Sequence, residues 1–505
     1  MSLLKKYKIE TIVLVLLIFL YFLTRFYNIL SLPIFTDEAI YIRWAQIAKQ
    51  DASWRFISLT DGKQPMFVWL TVIAMRFISD PLLAGRLVSV GAGFFTLIGM
   101  FFLGREIFRN RLIGLISSGI YVIFPMALVY DKMALYDSLV GTFTIWSLFL
   151  TVLLVRRIRL DVALILGMVV GGGVLNKTSG FFNLYLLPLS LILFDWNKKE
   201  RMQGLVKWVG LISIAVIMTY GFYSILRLSP YFHIIDEKNT IFVYPYREWI
   251  EHPLDFFIGN WKALWDWMNL YLTSPLLIAS VASFFIARSY AKEKILLFLW
   301  FIIPIIALAI FGKTLYPRFI FFMTLSLLPL IAYSLIALYQ KVKTRPLFVL
   351  FLIMFFFFVF RADFFILTDF ENARIPVSDI RQYATDWPSG GGVKEAVEFF
   401  QNEAKNQKIY IATQGTFGLM PYAFEIYLIQ NPNIAIEGFW PISDTIPQKV
   451  LEKSKFMPTY FVFYQPCSSC QETGVAPVVW SQLDLIYQYE KKQPYRYLSL
   501  YRVKQ

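Results

Sequence analysis

The stretch FTDEAIYIRW, residues 35–44, sets Asp37 beside Glu38 just after the first long apolar run ends. Acids there have a structural use: in the first turn of a helix they gain roughly 0.3–1 kcal/mol from its dipole, with Thr36 as the cap. They also have a chemical one, since a carboxylate can take the proton from an attacking hydroxyl or amine. More ionisable groups stand at the ends of later apolar runs: Asp131 and Asp137 in DKMALYD, Lys63 in GKQPMF, Lys177 in GGGVLNKTSG, and Lys313 and Arg318 in GKTLYPRF. Singly, Asp137 reads as a helix cap and the lysines as snorkelling residues. Together they form a mixed set of anions and cations on one side of the membrane, where ionisable groups are expensive and tend to be functional.

Such a set suits a sugar carried on a polyprenyl phosphate. The lipid tail lies in the bilayer, the phosphate at headgroup level and the anomeric carbon just outside. Lysine and arginine hold the phosphate and stabilise the charge that grows on it as it leaves. The phosphate is already a good leaving group and requires no acid, whereas the acceptor needs a base. Asp37 fits that role, with Asp137 to orient the acceptor or share its proton.

The elements that must place these residues follow from composition. The 505 residues are 57% hydrophobic and 18% aromatic, with a mean hydropathy of +0.57. That excludes a soluble domain and predicts a polytopic α-helical membrane protein. Apolar runs near 11–30, 82–104, 112–130, 139–155, 160–175, 181–194, 205–226, 270–287, 295–311, 319–338 and 346–366 predict about eleven spans, with 160–175 and 181–194 the shortest against the roughly 20 residues a bilayer asks for. The net charge of +14 is mostly topological. Lysine and arginine cluster in alternate short loops, as at Arg105, Arg109 and Arg111 or Arg156, Arg157 and Arg159, so the N-terminus is expected in the cytoplasm and nucleic acid is dropped as a partner. The first run is too long for a signal peptide and lacks a small-residue cleavage site.

Domain boundaries are expected at 1–366 for the membrane part, with long outer loops at 31–80 and 227–268, and at 367–505 for an extracytoplasmic α/β domain. In the first loop Ile40, Trp44, Ile47 and Ala48 fall at amphipathic helical spacing, and the aromatic residues of both loops suit the membrane interface. DWPSGGG, residues 386–392, reads as a turn-rich linker. A helix over VKEAVEFFQNEAKN follows, then a strand at KIYIAT, a helix at GLMPYAFEIYLI, and strands at NIAIEGFW, PTYFVFYQ and RYLSLYRV. Cys467 and Cys470, in PCSSC, predict a disulfide on the outer side; zinc would need two more ligands, and His233 and His252 are remote in sequence.

The order TDEAIY, GKQPMF, ALYDSLVGTF, GVLNKTSG and LYPRF resembles the GT-C membrane glycosyltransferases, in the branch of protein O-mannosyltransferases and lipid A aminoarabinose transferases. The resemblance spans about residues 10–340. It implies Asp37 as base within the acidic motif Asp37–Glu38, and a second acidic motif at Asp137 with Tyr136 beside it. A Lys-Pro-Pro-like motif falls at Lys63, Gln64 and Pro65, with Gln64 departing from the usual proline. Later donor-phosphate contacts fall at Lys177, Tyr316 and Arg318, to which the residue reading adds Lys313. It further implies inverting transfer by direct displacement, to an acceptor that is a protein, lipid or glycan. No cofactor is expected, although Asp37, Glu38, Asp131 and Asp137 offer an oxygen-rich set for Mg²⁺ or Mn²⁺. The competing class, a flippase or transporter of lipid-linked sugars, would place charge near the membrane midplane on broken helices.

Overall fold

The computed structural model describes residues 8–197, 199–251, 254–342, 344–442, 445–464, 480, 482–493 and 496–504. Cys467 and Cys470 lie outside the described residues. Among those described, eight helices are long and apolar enough to cross a membrane: 9–26, 81–108, 137–157, 201–228, 257–286, 291–311, 317–341 and 345–368. Three shorter apolar helices, 111–122, 160–176 and 178–193, fall on the remaining expected runs. The chain is a multi-pass membrane protein. It divides into two compact units, one of 1–27, 53–70 and 86–376, the other of 28–52, 71–85 and 377–505.

In the first unit, small residues let helices approach closely, as they must where lipid supplies no hydrophobic drive. In the run GMVVGGGVLNK, a Cβ on Gly171 would lie 2.7 Å from the Phe222 ring, and one on Gly172 would lie 2.6 Å from the Phe143 ring. The helix Leu160–Asn176 is thus pressed between Asp137–Arg157 and Arg201–Ser224, and it ends at Lys177. The stretch 227–268, expected as a long loop, contains helices. A helix begins at Phe257 and runs to Ile286, interrupted at Thr273 by a positive φ of 61° two residues before Pro275.

Asp131, expected in the outward set, has its partners inside the first unit. It is fully buried, 3.4 Å from the Arg25 guanidinium, and accepts hydrogen bonds from Tyr121 at 2.9 Å and Ser138 at 2.9 Å. Tyr21 and Arg25 in turn donate to the carbonyls of Val90 and Val122. This polar knot ties the helices carrying residues 21, 90, 121 and 138, and it gives Asp131 a bracing role.

The second unit contains a five-stranded sheet: β1 (Ile409–Gln414), β2 (Ile434–Phe439), β3 (Thr459–Phe463), β4 (Leu483–Glu490) and β5 (Tyr497–Val503), in the order β2-β1-β3-β5-β4. β1 pairs in parallel with β2 and β3, while β5 runs antiparallel to β3 and β4. Helices Val393–Glu403 and Leu419–Leu428 meet through the edge-to-face rings of Phe400 and Phe424, 5.4 Å apart. The helix Thr36–Gln50 belongs to this unit. Its apolar face, expected at the membrane interface, is covered by protein instead. Trp44 is 1% exposed and sits beside Phe417, Arg43 pairs with Glu425, and Gln46 donates to the Ile426 carbonyl.

Candidate active site

Within the first unit, a run of aromatic rings assembles five of the residues singled out by sequence. The Lys63 ammonium lies 5.7 Å from the Phe242 ring, and Phe242 meets Phe319 edge-on at 5.9 Å. Lys177 stands 4.8 Å from the Phe319 ring and holds Asp137 at 2.7 Å. On another side of Phe319, the Tyr316 ring lies 5.6 Å away, and the Arg318 guanidinium sits 5.0 Å from Tyr316. Three cations, one carboxylate and one phenol therefore surround two phenylalanines. Ring faces attract cations at about 0.5–2 kcal/mol each, and Lys177 is held by the Asp137 carboxylate as well.

Local chain geometry explains each placement. Lys63 follows Gly62, whose φ of +64° ends the 3₁₀ turn Ile57–Asp61. A Cβ on Gly62 would lie 2.5 Å from the Lys238 Cβ, and the neighbouring Asp61 pairs with Lys238 at 2.6 Å, so the turn is clamped to the helix Ile234–Phe242. Gln64 stands where proline was expected, and its amide donates to the Thr178 hydroxyl at 2.8 Å. That bond ties the Lys63 turn to the turn carrying Lys177. Asp137 opens the helix Asp137–Arg157, so it occupies the expected first-turn position and also binds Lys177. Asn176 donates to the Tyr136 carbonyl at 3.0 Å, and Tyr136 lies against Phe67.

Lys313 behaves differently. Its backbone N–H donates to the Phe242 carbonyl at 2.8 Å, in a short antiparallel contact where Val243 bridges Gly312. Its side chain points to Glu248 at 3.2 Å and to the Tyr244 ring at 5.2 Å. Lys313 thus fixes Phe242 through its backbone, while its half-exposed ammonium is matched by a carboxylate. The residues that sequence reasoning missed are Phe242, Phe319, Thr178 and Glu248. In a chain with 49 phenylalanines, no spacing marks these two.

In the second unit, Asp37 and Glu38 lie in the first turn of Thr36–Gln50. Glu38 is fully buried and accepts the Phe35 backbone N–H at 3.0 Å, so the cap comes from Glu38 and not from Thr36. The Thr36 hydroxyl instead donates to the Pro388 carbonyl at 2.9 Å. Asp37 is partly exposed. Among the described residues, no group of three or more His, Cys, Asp or Glu side chains is gathered as a metal would need. Asp131 and Asp137 already face Arg25 and Lys177.

Residues 62–223, which include Lys63, Asp137 and Lys177, match the model of the dolichyl-phosphate-mannose-protein mannosyltransferase family. The whole chain superposes on ArnT from Cupriavidus metallidurans in the apo state, with a TM-score of 0.58 and 13% identity over 97% of each chain. The chain thus shares its fold with ArnT. ArnT bound to undecaprenyl phosphate gives a TM-score of 0.56 at 14% identity over 98% of each chain. A further GT-C structure, the oligosaccharyltransferase AglB from Archaeoglobus fulgidus in complex with an inhibitory peptide and a dolichol-phosphate, gives 0.53 at 13% identity over 96% of this chain and 74% of that one. No protein of curated function matches by sequence.

Proposed function

We propose that this chain is an inverting membrane glycosyltransferase that moves a sugar from a polyprenyl-phosphate donor to an acceptor hydroxyl or amine on the outer face of the membrane. The observation that carries the reading is the cluster of Lys63, Lys177 and Arg318 around Phe242 and Phe319. A phosphate monoester or diester is the ligand such a cluster suits, and the relatives include one bound to undecaprenyl phosphate and one in complex with a dolichol-phosphate.

In the step itself, the acceptor's lone pair forms a bond to the anomeric carbon while the bond from that carbon to the phosphate oxygen breaks. The electron pair leaves with polyprenyl phosphate, and the acceptor proton passes to a base. A single displacement inverts the anomeric centre. Asp37 is assigned as the base, on the strength of the TDEAIY motif, and Glu38 holds the helix start that presents it. Lys63, Lys177 and Arg318 stabilise the departing charge, with Tyr316 and the outer Lys313 completing the donor contacts. Asp137 orients Lys177 and shares in placing the acceptor. These cations supply the charge a divalent metal would otherwise bring, so turnover is expected to persist in EDTA. The N-terminus is assigned to the cytoplasm and the sheet-bearing unit to the outside by the alternation of basic loops.

The test is purified protein with a polyprenyl-phosphate sugar and a candidate acceptor, with and without EDTA. Free polyprenyl phosphate and a glycosylated product of inverted configuration are expected in both. Movement of the intact donor across the bilayer without bond cleavage would make it a flippase. Rescue of an EDTA-silenced enzyme by Mn²⁺ would overturn metal independence.

A further inference from the structure

The DWPSGGG segment carries turn signals typical of a linker, yet in the second unit it is held at both faces. On one face, the backbone N–H of Thr36 donates to the Pro388 carbonyl at 3.0 Å, Gly390 donates back to the Ile34 carbonyl at 2.7 Å, and Phe35 bridges Ser389. A Cβ on Gly390 would lie 2.6 Å from the Ile34 oxygen, so no side chain fits there. The Phe35 ring abuts Tyr383 edge-on at 5.0 Å. On the other face stands the turn that joins β4 to β5. Its Lys491, 2% exposed, reaches the carbonyls of Ser389 at 2.5 Å, Trp387 at 3.4 Å and Asp386 at 3.5 Å, while Arg496 donates to the Asp386 carboxylate at 2.9 Å. The Lys491 N–H donates to the Arg496 carbonyl at 2.8 Å, so the two side chains are delivered together.

Burying a lysine is costly, and three backbone carbonyls are an unusual return for it. Water or a shorter hydroxyl side chain would satisfy the same carbonyls more cheaply. What an ammonium adds is a multidentate grip on Asp386, Trp387 and Ser389, which flank Pro388, whose carbonyl accepts from Thr36, the residue immediately before Asp37. We propose that Lys491 and Arg496 are positioning residues for the transfer reaction, fixing through the 386–390 strap the helix start that carries Asp37. The inference rests on the assignment of Asp37 as base. General-base catalysis is sensitive to placement, because a displacement of about 1 Å costs on the order of 100-fold in rate.

The experiment compares full-length wild type with Lys491→Met, Arg496→Gln and Arg496→Lys in nanodiscs, by steady-state kinetics and amide hydrogen exchange. Lys491→Met and Arg496→Gln are expected to lower kcat by about 10- to 100-fold. The donor KM is expected to stay within about twofold, because donor contacts lie on other residues. Arg496→Lys should restore most of the turnover. Exchange should quicken at the amides of Thr36 and Gly390 and stay unchanged in β1 and β3. Should Lys491→Met not fold, the Arg496 pair decides, since that side chain is one-third exposed. Wild-type kcat in Arg496→Gln, or a kcat loss without faster exchange at Thr36 and Gly390, would overturn the proposal. An Asp37→Asn enzyme with wild-type turnover would instead remove the base assignment while leaving the exchange result intact, so the two failures are distinguishable.

Discussion

The proposed reaction gives Asp37 and Lys177 different roles, and their variants should differ accordingly. Asp37→Asn removes a proton acceptor and keeps the shape, so turnover is expected to collapse by about 100-fold or more while donor affinity persists. Equilibrium binding of a labelled donor beside turnover rates measures both. Lys177→Met removes a charge-assisted contact of about 1.5–3 kcal/mol, so donor kcat/KM should fall by roughly 10- to 150-fold. Asp137→Asn frees the Lys177 ammonium from its 2.7 Å partner, so donor KM should change there as well, whereas Asp37→Asn leaves it alone. Five of the eight residues picked from the sequence gather around Phe242 and Phe319: four are charged groups at the ends of apolar runs, and Tyr316 came with its motif neighbour Arg318. Asp131 stood out equally, yet its partner Arg25 sits inside an apolar run of residues 9–26. A single charge in such a run is averaged away by hydropathy, so the pair was invisible until the helices were packed.

At the level of elements, the Arg25–Asp131 knot explains how helices with little mutual hydrophobic drive keep one arrangement. Breaking a buried pair strands the surviving charge, at about 3–5 kcal/mol. Arg25→Ala is therefore expected to lower the thermal midpoint in detergent markedly, and Arg25→Met with Asp131→Leu to lower it much less, because no charge is left unpaired. Differential scanning fluorimetry on the three proteins checks this. Strands and helices of the second unit were largely legible from period and length: β1, β2, β3 and β5 and both long helices fall where expected. β4, LDLIYQYE, is absent from the expected strands although its polar and apolar residues partly alternate as a strand's do. The DWPSGGG linker is turn-rich as expected, but its docking was not legible. Glycine and proline announce a bend, but nothing in sequence says whether the freed carbonyls face water or a lysine.

On the scale of the whole molecule, the first outer stretch is divided between units: Lys63 goes with the membrane helices, whereas Asp37 and Glu38 go with residues 377–505. Alternating charge predicts which loops share a side, but packing partners separated by hundreds of residues leave no mark on local pattern. Stability of the second unit should carry a pH signature from Lys491, whose burial pushes its ammonium down to about 7. Unfolding restores an ordinary lysine near 10.5, so between about pH 7 and 10.5 the unfolded chain binds the extra proton. Stability should then rise with pH across that window by up to ~1.4 kcal/mol per unit, and flatten below about 7 where both states are protonated. Hydrogen exchange of β1 at pH 7 and 9 measures it, and Lys491→Met should lose the slope. The bond between Thr36 and Pro388 spans 352 residues of chain. At translation rates of about 5–20 residues per second, the acidic helix must wait roughly 20–70 s for the segment that seats it. The nascent polypeptide thus carries its Thr36–Gln50 helix without its strap through most of synthesis, a delay written into the order of the chain.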